Sequence, residues 1–248
     1  MLNIDFNCDI GEGMGNEDLL LPFISSANIA CGYHAGDAAE MKRVVDGCIK
    51  SKVAIGAHPS YPDKENFGRT DMQLSTNEIY TLVKKQLEIL NTIVVAAGAN
   101  LHHVKPHGAL YNMAAKDAAI AHIIAMAVKD FNSELIFYGL SGSVMIEEAK
   151  KIGLKTAREV FADRSYQPDG SLTPRTETNA LITDTATAVQ QVLQMINKKT
   201  VNATNGAVIE MHADTVCIHG DGINAVRFAA ALNNSLQMAG INIKKINY

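Results

Sequence analysis

Short apolar runs alternate along the chain with longer segments in which apolar residues recur every three or four positions. The short runs are typical of buried strands, and the longer segments are typical of helices with one buried face. Strands are predicted at residues 2–7, 27–31, 53–57, 101–105, 135–138, 155–161 and 216–219. The tail INIKKI adds a possible last or peripheral strand. This alternation predicts an α/β fold, a (β/α) barrel with seven to eight units.

Capping residues and apolar stripes mark the predicted helices. Asp37 and Glu40 have the spacing of a capping box, as do Ser75 and Glu78. Apolar residues at Met41, Val44, Val45 and Cys48 follow Asp37, and a longer stripe follows Ser75 up to Gly98. Further helices are predicted at 117–129, 142–152, 184–197 and 223–239.

Two connections are longer than the roughly 2–6 residues that are usual for a βα loop. They span residues 58–74 and 162–178, and the first contains the segment HPSYPDKENFGRT. Long loops without their own periodicity usually carry function. We expect residues 58–74 to lie over a pocket.

Six of the predicted strands end in residues that bind metals or move protons. The segments are CDIGE, CGYHAGD, HPSYPD, KPHGALY, FADR and HGD. The carboxyl ends of parallel strands point to the same rim of a barrel or sheet. The sequence therefore predicts that reactive groups far apart in the chain meet in one pocket.

Length and charge favour a single barrel domain over residues 1–248 that acts on a small molecule. The chain has 248 residues and 47% hydrophobic content, which is enough to bury a large core. Its net charge is −4 and its pI is near 6.1. No run of Lys or Arg forms a basic stripe, so nucleic acid is not an expected partner.

The amino terminus, MLNIDFNCDIGEG, lacks the charged and apolar regions of a signal peptide. No apolar stretch approaches the roughly 20 residues of a membrane helix. We therefore expect a soluble, cytoplasmic protein without a membrane partner.

The four cysteines show no CxxC spacing and are expected to be reduced and to serve mostly packing: Cys8, Cys31, Cys48 and Cys217.

Two carboxylates follow the first strand in the glycine-rich segment NCDIGEGMG. They are Asp9 and Glu12, and the neighbouring glycines allow a tight turn that brings both to the rim. Such a pair can bind a divalent cation or act as a general base. The alternative is a solvated acidic loop in which Asp9 caps backbone amides.

Four of the eight histidines lie just beyond a predicted strand end: His34, His58, His107 and His219. In contrast, His102 lies inside a predicted strand and His122 on a helix. Imidazoles and a carboxylate from separate strands suit zinc, manganese or another divalent ion. No HExxH motif fixes that assignment, and each histidine alone has a plausible role in binding a loop carbonyl.

A group of cationic and hydroxyl side chains is suited to hold an anion: Arg69, Lys105, Tyr111, Arg164 and Arg175. Surface ion pairs are the alternative for all but Lys105, which ends an apolar strand before Pro106 and should face the pocket. Its target is a phosphate, a carbonyl oxygen or a substrate carboxylate. Asp163 and Asp221 are further catalytic candidates, although Asp221 is as well placed to cap a helix.

Several common catalytic motifs are absent from the sequence. There is no GxxxxGK[ST] loop, no GxSxG elbow, and no GxGxxG after the first strand. The sequence thus gives no support for a P-loop kinase, a serine hydrolase or a dinucleotide enzyme.

Taken in order, six segments resemble the LamB/YcsF family of lactam-utilisation proteins: NCDIGEG, ANIACGYHAGD, GAHPSYPD, VKPHGALYN, EVFADRSYQPDG and IHGDG. The chain departs from the family pattern beside these motifs, at Thr70, Asn179 and Ile223. The resemblance implies a seven-stranded barrel similar to the glycoside hydrolase/deacetylase group. It also implies a role as the A subunit of ATP-dependent 5-oxoprolinase, which cleaves 5-oxo-L-proline to L-glutamate with partner subunits B and C and with ATP as co-substrate.

The resemblance also suggests a possible divalent metal site. In metal-dependent deacetylases of that barrel group, an Asp after the first strand and two histidines bind the ion. The matching residues here are Asp9, His58 and His107, with His34 as an alternative.

For catalysis we hypothesise that Lys105 and the arginines steady anionic oxygens, while Asp9 or a histidine activates water. The remaining candidates are assigned as Glu12, His34, His107 and Asp163 for catalysis, and Arg69, Tyr111, Arg164 and His219 for substrate binding. Two alternatives stay open: a stand-alone metal-dependent amidase or deacetylase, and a non-catalytic component that only holds the substrate.

Overall fold

A computed structural model describes residues 2–221 and 225–248. Its strands are β1 Leu2–Ile10, β2 Ser26–Ala30, β3 Ala54–His58, β4 His103–Val104, β5 Ile136–Leu140, β6 Lys155–Phe161, β7 Thr200–Asn202, β8 Val208–Glu210, β9 Thr215–His219 and β10 Ile241–Ile243. Its helices are α1 Glu17–Leu20, α2 Ala38–Ser51, α3 Thr76–Ala96, α4 Gly108–Ala114, α5 Ala118–Phe131, α6 Val144–Lys151, α7 Thr185–Lys198 and α8 Ala225–Met238.

Seven parallel strands form a closed barrel in the order β1-β2-β3-β4-β5-β6-β9. Pairing of β1 with β9, from Asp5 opposite Thr215 to Asp9 opposite His219, closes the ring. The predicted seven-stranded (β/α) barrel is confirmed. The tail forms β10, which pairs with the first residues of β1 outside the ring and is thus the peripheral strand.

The helices surround the barrel and bury their apolar stripes against it. In α3 the stripe of Ile79, Val83, Leu87, Leu90 and Val94 is fully buried. Each such side chain contributes about 1.5–3 kcal/mol through burial. Hydrophobic burial of these stripes therefore orients the helices and fixes the direction of the strands between them.

The two predicted capping boxes differ in the structure. Ser75 and Glu78 form a complete box at the start of α3. At the start of α2, Asp37 accepts a hydrogen bond from the Glu40 amide, but the Glu40 carboxylate instead accepts one from the Gly13 amide at 2.8 Å. The predicted hydrogen bond from the Asp37 amide to the Glu40 carboxylate is therefore not formed. Glu40 instead holds the loop that follows β1.

Several strand limits differ from the predicted ones. Strand β1 continues to Ile10, so Asp9 lies inside the strand and not in the loop after it. Strand β4 is only two residues long, since Lys105 is followed by Pro106, which has no amide hydrogen to donate to a neighbouring strand. His102 therefore lies before the strand.

The elements that were not predicted are the short helices α1 and α4, a 3-10 turn at Leu21–Phe23 and the antiparallel ribbon β7–β8. The ribbon is largely exposed and lacks the apolar alternation that would mark it in the sequence. The predicted start of the last helix, at residue 223, lies outside the described residues. Within the described ranges, that helix begins at Ala225.

The four cysteines are free and buried, as expected. None of the helices in the described ranges combines the length and the apolar composition that a membrane crossing requires.

The barrel interior contains one close approach of a side chain to the backbone. The imidazole of His103 lies over Gly56, and a Cβ atom at Gly56 would come within 2.1 Å of His103 Nε2. The same nitrogen is 2.8 Å from Asn28 Oδ1, and the ring stacks on Tyr138. Glycine is required at position 56 because His103 has no room to move.

We expect Gly56→Ala to lower the free energy of unfolding by about 1–3 kcal/mol, the usual cost of overpacking. Gly98→Ala is the control, since its added methyl group meets no atom within 4 Å and only its left-handed backbone is strained. Urea unfolding followed by circular dichroism measures both. Equal stability of Gly56→Ala and the wild type would contradict the close approach.

Candidate functional site

The carboxyl ends of the barrel strands bring the predicted site residues together. Asp9 on β1 is paired across the sheet with His219 on β9 and with Asn28 on β2. His58 is the last residue of β3, and Lys105 directly follows β4. Residues far apart in the sequence therefore share one mouth of the barrel.

A cavity of about 750 Å³ opens at this mouth. Nine predicted site residues line it: Asp9, His58, Arg69, Lys105, His107, Tyr111, Arg164, Arg175 and His219. Both long loops contribute to its wall through residues 69–71 and 171–176, as expected for the first of them. Asp163 and Asp221 line a smaller neighbouring pocket, and Glu12 and His34 are buried beside His107.

Four buried side chains form a compact group that could hold a metal ion: Glu12, His34, His58 and His107. One potential ligand atom of each lies within 4.8 Å of the others. Glu12 Oε1 is 3.1 Å from His34 Nε2 and 3.5 Å from His107 Nδ1. We call this group the Glu/His cluster.

The second nitrogen of each cluster histidine has a partner that fixes the ring. His58 Nδ1 lies 2.7 Å from the Lys105 carbonyl, and His107 Nε2 lies 2.8 Å from the Phe67 carbonyl. Since a carbonyl only accepts, both nitrogens carry a hydrogen. His34 Nδ1 is 2.8 Å from the Ser60 hydroxyl, which already donates to the Tyr61 carbonyl and thus accepts here. The remaining nitrogens present lone pairs to the cluster.

Two of these lone pairs face each other, because His58 Nε2 lies only 2.9 Å from His107 Nδ1. Burial, and then the neighbouring imidazoles, hold the pKa of His107 well below its usual value, which disfavours an added proton. Burial and the charge of Asp9 raise the pKa of Glu12. A proton on Glu12 would satisfy its own contacts, and a proton on His58 Nε2 would face His107 Nδ1 at 2.9 Å and Asp9 Oδ2 at 3.4 Å. A divalent cation would satisfy all four ligand atoms, so the donor set fits a metal.

The loop between β3 and α3 supports the Glu/His cluster from outside. Phe67 and Gly68 both adopt positive φ, which turns the Phe67 carbonyl toward His107. A Cβ at Gly68 would come within 2.8 Å of His34 Cβ. Gln86 on α3 exchanges two hydrogen bonds with the backbone of Ser60 and so holds the partner of His34. Such outer contacts fix the orientation of metal-binding rings.

Lys105 occupies the floor of the cavity and is fully buried. Its ammonium lies 2.9 Å from Asp9 Oδ1, 2.8 Å from Glu159 Oε1 and 3.0 Å from Cys217 Sγ. Burial opposes the charges, but the Lys105 pKa is raised by the carboxylates, and the Asp9 pKa is held well below its usual value by His58 and Lys105. The site therefore contains a fixed cation beside the Glu/His cluster.

Glu159 and Tyr111 lie next to this cation. The Glu159 carboxylate and the Tyr111 hydroxyl are buried side by side and contact each other, and Lys105 is within ion-pair distance of Glu159. Burial, and then the charge of Glu159, raise the pKa of Tyr111 well above its usual value. These three groups therefore contact one another, and Tyr111 also lines the cavity.

Asp163, which follows β6, and His219, the last residue of β9, form a dyad. His219 Nδ1 lies 2.8 Å from Asp163 Oδ2, and the ring stacks on Phe161. Burial opposes the charge of Asp163, but His219 and Arg175 outweigh it and lower its pKa. Since Asp163 engages Nδ1, Nε2 is the nitrogen left to exchange a proton with a ligand.

The arginines surround the outer part of the cavity. Arg69 pairs with Asp221 at 2.6 Å and lies over the Phe67 ring. Arg164 donates to the Thr173 and Ala180 carbonyls, and its burial, followed by the nearby Arg175, lowers its pKa to about 10. Arg175 lies between the two pockets, and burial and Arg69 lower its pKa. The concentration of positive charge favours an anionic ligand.

Comparison with known proteins gives the family of the chain. The profile of the LamB/YcsF family matches residues 4–248. The chain belongs to the LamB/YcsF family. A protein from Shouchella clausii that is named as the A subunit of 5-oxoprolinase is 53% identical over 249 residues, which cover 98% of each chain.

Solved structures place the LamB/YcsF chain among known barrels. The crystal structure of a lactam utilization protein from Thermus thermophilus has a TM-score of 0.93 and 39% identity, covering 99% of this chain and 100% of that one. A family 4 carbohydrate esterase from Streptomyces lividans has a TM-score of 0.53 and 12% identity, covering 99% and 93%. The second likeness concerns the fold alone, and it agrees with the expected deacetylase-type barrel.

The structure of this LamB/YcsF protein also reveals site residues that the sequence reasoning missed. Glu159 is an acidic residue at a buried position of β6, and Gln86 is a polar residue on the apolar face of α3. Both interrupt an otherwise apolar pattern, which was the available signal. Ser60 and the Phe67 carbonyl lie in the long first loop and gave no such signal.

We expect the LamB/YcsF chain to bind one divalent cation, such as Zn²⁺, at the Glu/His cluster. His58→Ala and His107→Ala should lose it, and Ser60→Ala, which removes the partner of His34, should weaken it by about 10–100-fold. Calorimetric titration and metal content after dialysis measure this. His122→Ala, a change on the outer helix α5, is the control. The same metal content in His107→Ala as in the wild type would contradict the site.

Proposed function

We propose that this chain is the A subunit of an ATP-dependent 5-oxoprolinase. It opens the ring of 5-oxo-L-proline to L-glutamate, with ATP as co-substrate, in a complex with subunits B and C. The observation that carries the proposal is the 53% identity to a protein named as the A subunit of 5-oxoprolinase over almost the whole of both chains. The cavity supports it, because a fixed cation, a possible metal site and several arginines suit a small anionic lactam.

The chemistry of the lactam explains why ATP is needed. Resonance makes the amide carbon a poor electrophile. Transfer of the γ-phosphoryl group to the amide oxygen releases ADP and makes the carbon more reactive. Addition of water and cleavage of the ring C–N bond then give an acyl phosphate, which a second water hydrolyses to glutamate and phosphate. ATP hydrolysis is thereby coupled to ring opening.

A divalent metal would be held by Glu12, His34, His58 and His107. When bound there, it would supply Lewis acidity toward the ring carbonyl. Asp9 lies next to this group, with Oδ2 3.4 Å from His58 Nε2, and its other oxygen is occupied by Lys105 and Asn28. In this arrangement Asp9 positions His58 and Lys105 and is not itself one of the four ligands.

Lys105 stabilises the negative charge that develops on oxygen during ring opening. Asp9 and Glu159 keep its ammonium ionised, and their fixed positions keep it aimed at the cavity floor. A preoriented charge in a water-poor site is effective because it needs no rearrangement during the reaction. Arg175 and Arg69 bind the substrate carboxylate or phosphate oxygens nearer the cavity opening.

The Asp163–His219 dyad supplies the proton transfer. Asp163 holds Nδ1 of His219, which leaves Nε2 to donate a proton to the ring nitrogen as the C–N bond breaks. Without that proton, the leaving group would be an unstable amide anion. The dyad thus acts as the general acid of the proposed reaction.

A stand-alone metal-dependent amidase is the second candidate, and the Glu/His cluster favours it. The experiment that separates the two measures glutamate released from 5-oxoproline, with and without ATP and with and without subunits B and C. The proposal expects release only with ATP and the partner subunits. Release by this chain alone, without ATP and sensitive to chelators, would establish the amidase instead.

His219→Gln and Asp163→Asn should each lower glutamate release in the reconstituted complex by about 10²–10⁴-fold, the usual contribution of a positioned acid or base. Melting temperatures should stay near that of the wild type, since both side chains lie at the cavity edge and not in the apolar core. His122→Gln on α5 is the matched control. Wild-type turnover in His219→Gln would remove the dyad from the mechanism.

A further inference from the structure

The main cavity continues into a side lobe of about 330 Å³. The two share Ala115, Lys116, Leu140 and Ser171, so the lobe opens from the active-site mouth. It is enclosed by the loop between β5 and α6, by residues 168–171 and by residues 209–211 at the end of the ribbon. We call the space bounded by these segments the side lobe.

The amino terminus of α6 faces the side lobe without a side-chain cap. Ser143 is the N-cap residue, but its hydroxyl donates to the Leu140 carbonyl at 2.7 Å and caps no amide. The first amides of a helix have no partner within the helix; here the Ile146 amide donates to the Ser143 carbonyl, which leaves the amides of Val144 and Met145 for a ligand. Val144, the first helical residue, lines the lobe, and Gly142 with φ of 77° turns the loop around it. Amides arranged in this way attract anions.

Ser141 gives an independent indication of a ligand. The residue is only 5% exposed and lines the side lobe. Its backbone amide donates to the Glu159 carbonyl, but across the described part of the chain its hydroxyl has no hydrogen-bond partner. The hydroxyl is not among the fully enclosed polar atoms that lack a partner, so the small exposed part of Ser141 opens to the lobe and can donate to a bound molecule.

The charged side chains around the side lobe are of both signs. Lys116 stands at the boundary with the main cavity and forms no salt bridge within the described ranges. Two carboxylates lie at the rim, but each has its own partner. Asp169 accepts a hydrogen bond from the Ser171 amide, which lowers its pKa, and the nearby Lys116 lowers it further; Glu210 pairs with His212. The positive charges that the lobe offers to a ligand are therefore those of Lys116 and the start of α6.

We propose that the side lobe binds phosphoryl groups, with Ser141 and the first amides of α6 as donors and Lys116 directing the terminal phosphate into the main cavity. The fitting ligand is the polyphosphate of a nucleoside triphosphate, and this part rests on the proposed function. The chain lacks a GxxxxGK[ST] loop, and the side lobe supplies an alternative phosphate site on a short loop after β5. Phosphate released by the reaction has the same chemistry and is the second possible source.

The test measures binding of inorganic phosphate, ADP and a non-hydrolysable ATP analogue to the full chain by calorimetry. Ser141→Asp and Lys116→Glu should each weaken binding of the ATP analogue by about tenfold or more, since each adds a negative charge beside the phosphoryl groups. Lys150→Glu, a charge reversal at the other end of α6, should leave it unchanged. Melting temperatures and binding of 5-oxoproline check that the variants fold.

The affinities for the three ligands decide whether the phosphoryl group in the side lobe comes from a nucleotide or is released phosphate. Tight binding of the ATP analogue with weak binding of phosphate supports a nucleotide site. Equal affinity for the ATP analogue and for phosphate supports a site for released phosphate. Wild-type affinity for all three ligands in Ser141→Asp and Lys116→Glu would overturn the side-lobe proposal. In the reconstituted complex, an unchanged KM for ATP in both variants would reject the lobe while leaving the proposed function intact. If Ser141→Asp and Lys116→Glu lose phosphate binding but the wild-type complex shows no ATP-dependent glutamate release, the proposed function is rejected and the side-lobe site is retained.

Discussion

The buried ion pair between Asp9 and Lys105 is the interaction on which the rest of the site depends. It joins β1 to the end of β4 across the inside of the barrel, and each partner also contacts another functional group. Asp9 faces His58, and the Lys105 carbonyl holds the other nitrogen of the same ring. Removing one partner of such a pair costs about 3–5 kcal/mol because the other charge stays buried. Stability of the barrel and geometry of the site are therefore set by the same two side chains.

This pair also explains why Glu12 belongs to the possible metal site more naturally than Asp9 does. One Asp9 oxygen accepts from both Lys105 and Asn28, which restricts its carboxylate. Glu12 lies between Gly11 and Gly13, both with positive φ, on a turn that folds back over the strand ends. Its longer side chain reaches two histidines from that turn.

The sequence was sufficient for the barrel strands, the longer helices and the shared mouth, because apolar periodicity and parallel-strand direction are local or general rules. Asp9, His58, Lys105 and His107 were expected at the rim and lie there. The partners of these residues were not predictable, since hydrogen bonds such as that between His107 and the Phe67 carbonyl depend on loop conformation. Likewise, Glu40 has the spacing of a cap, yet a nearby amide at Gly13 competes for its carboxylate.

Closure of the barrel by β1 and β9 has a consequence for synthesis of the protein. Asp5 and Thr215, which are hydrogen-bonded neighbours across that seam, are 210 residues apart in the chain. A nascent polypeptide that has not yet released β9 from the ribosome leaves two strand edges open and its buried charges hydrated. Contacts of such long range form slowly, and open edges invite wrong pairing. This topology therefore favours folding after translation ends. Until then, chaperones are expected to protect the open strand edges.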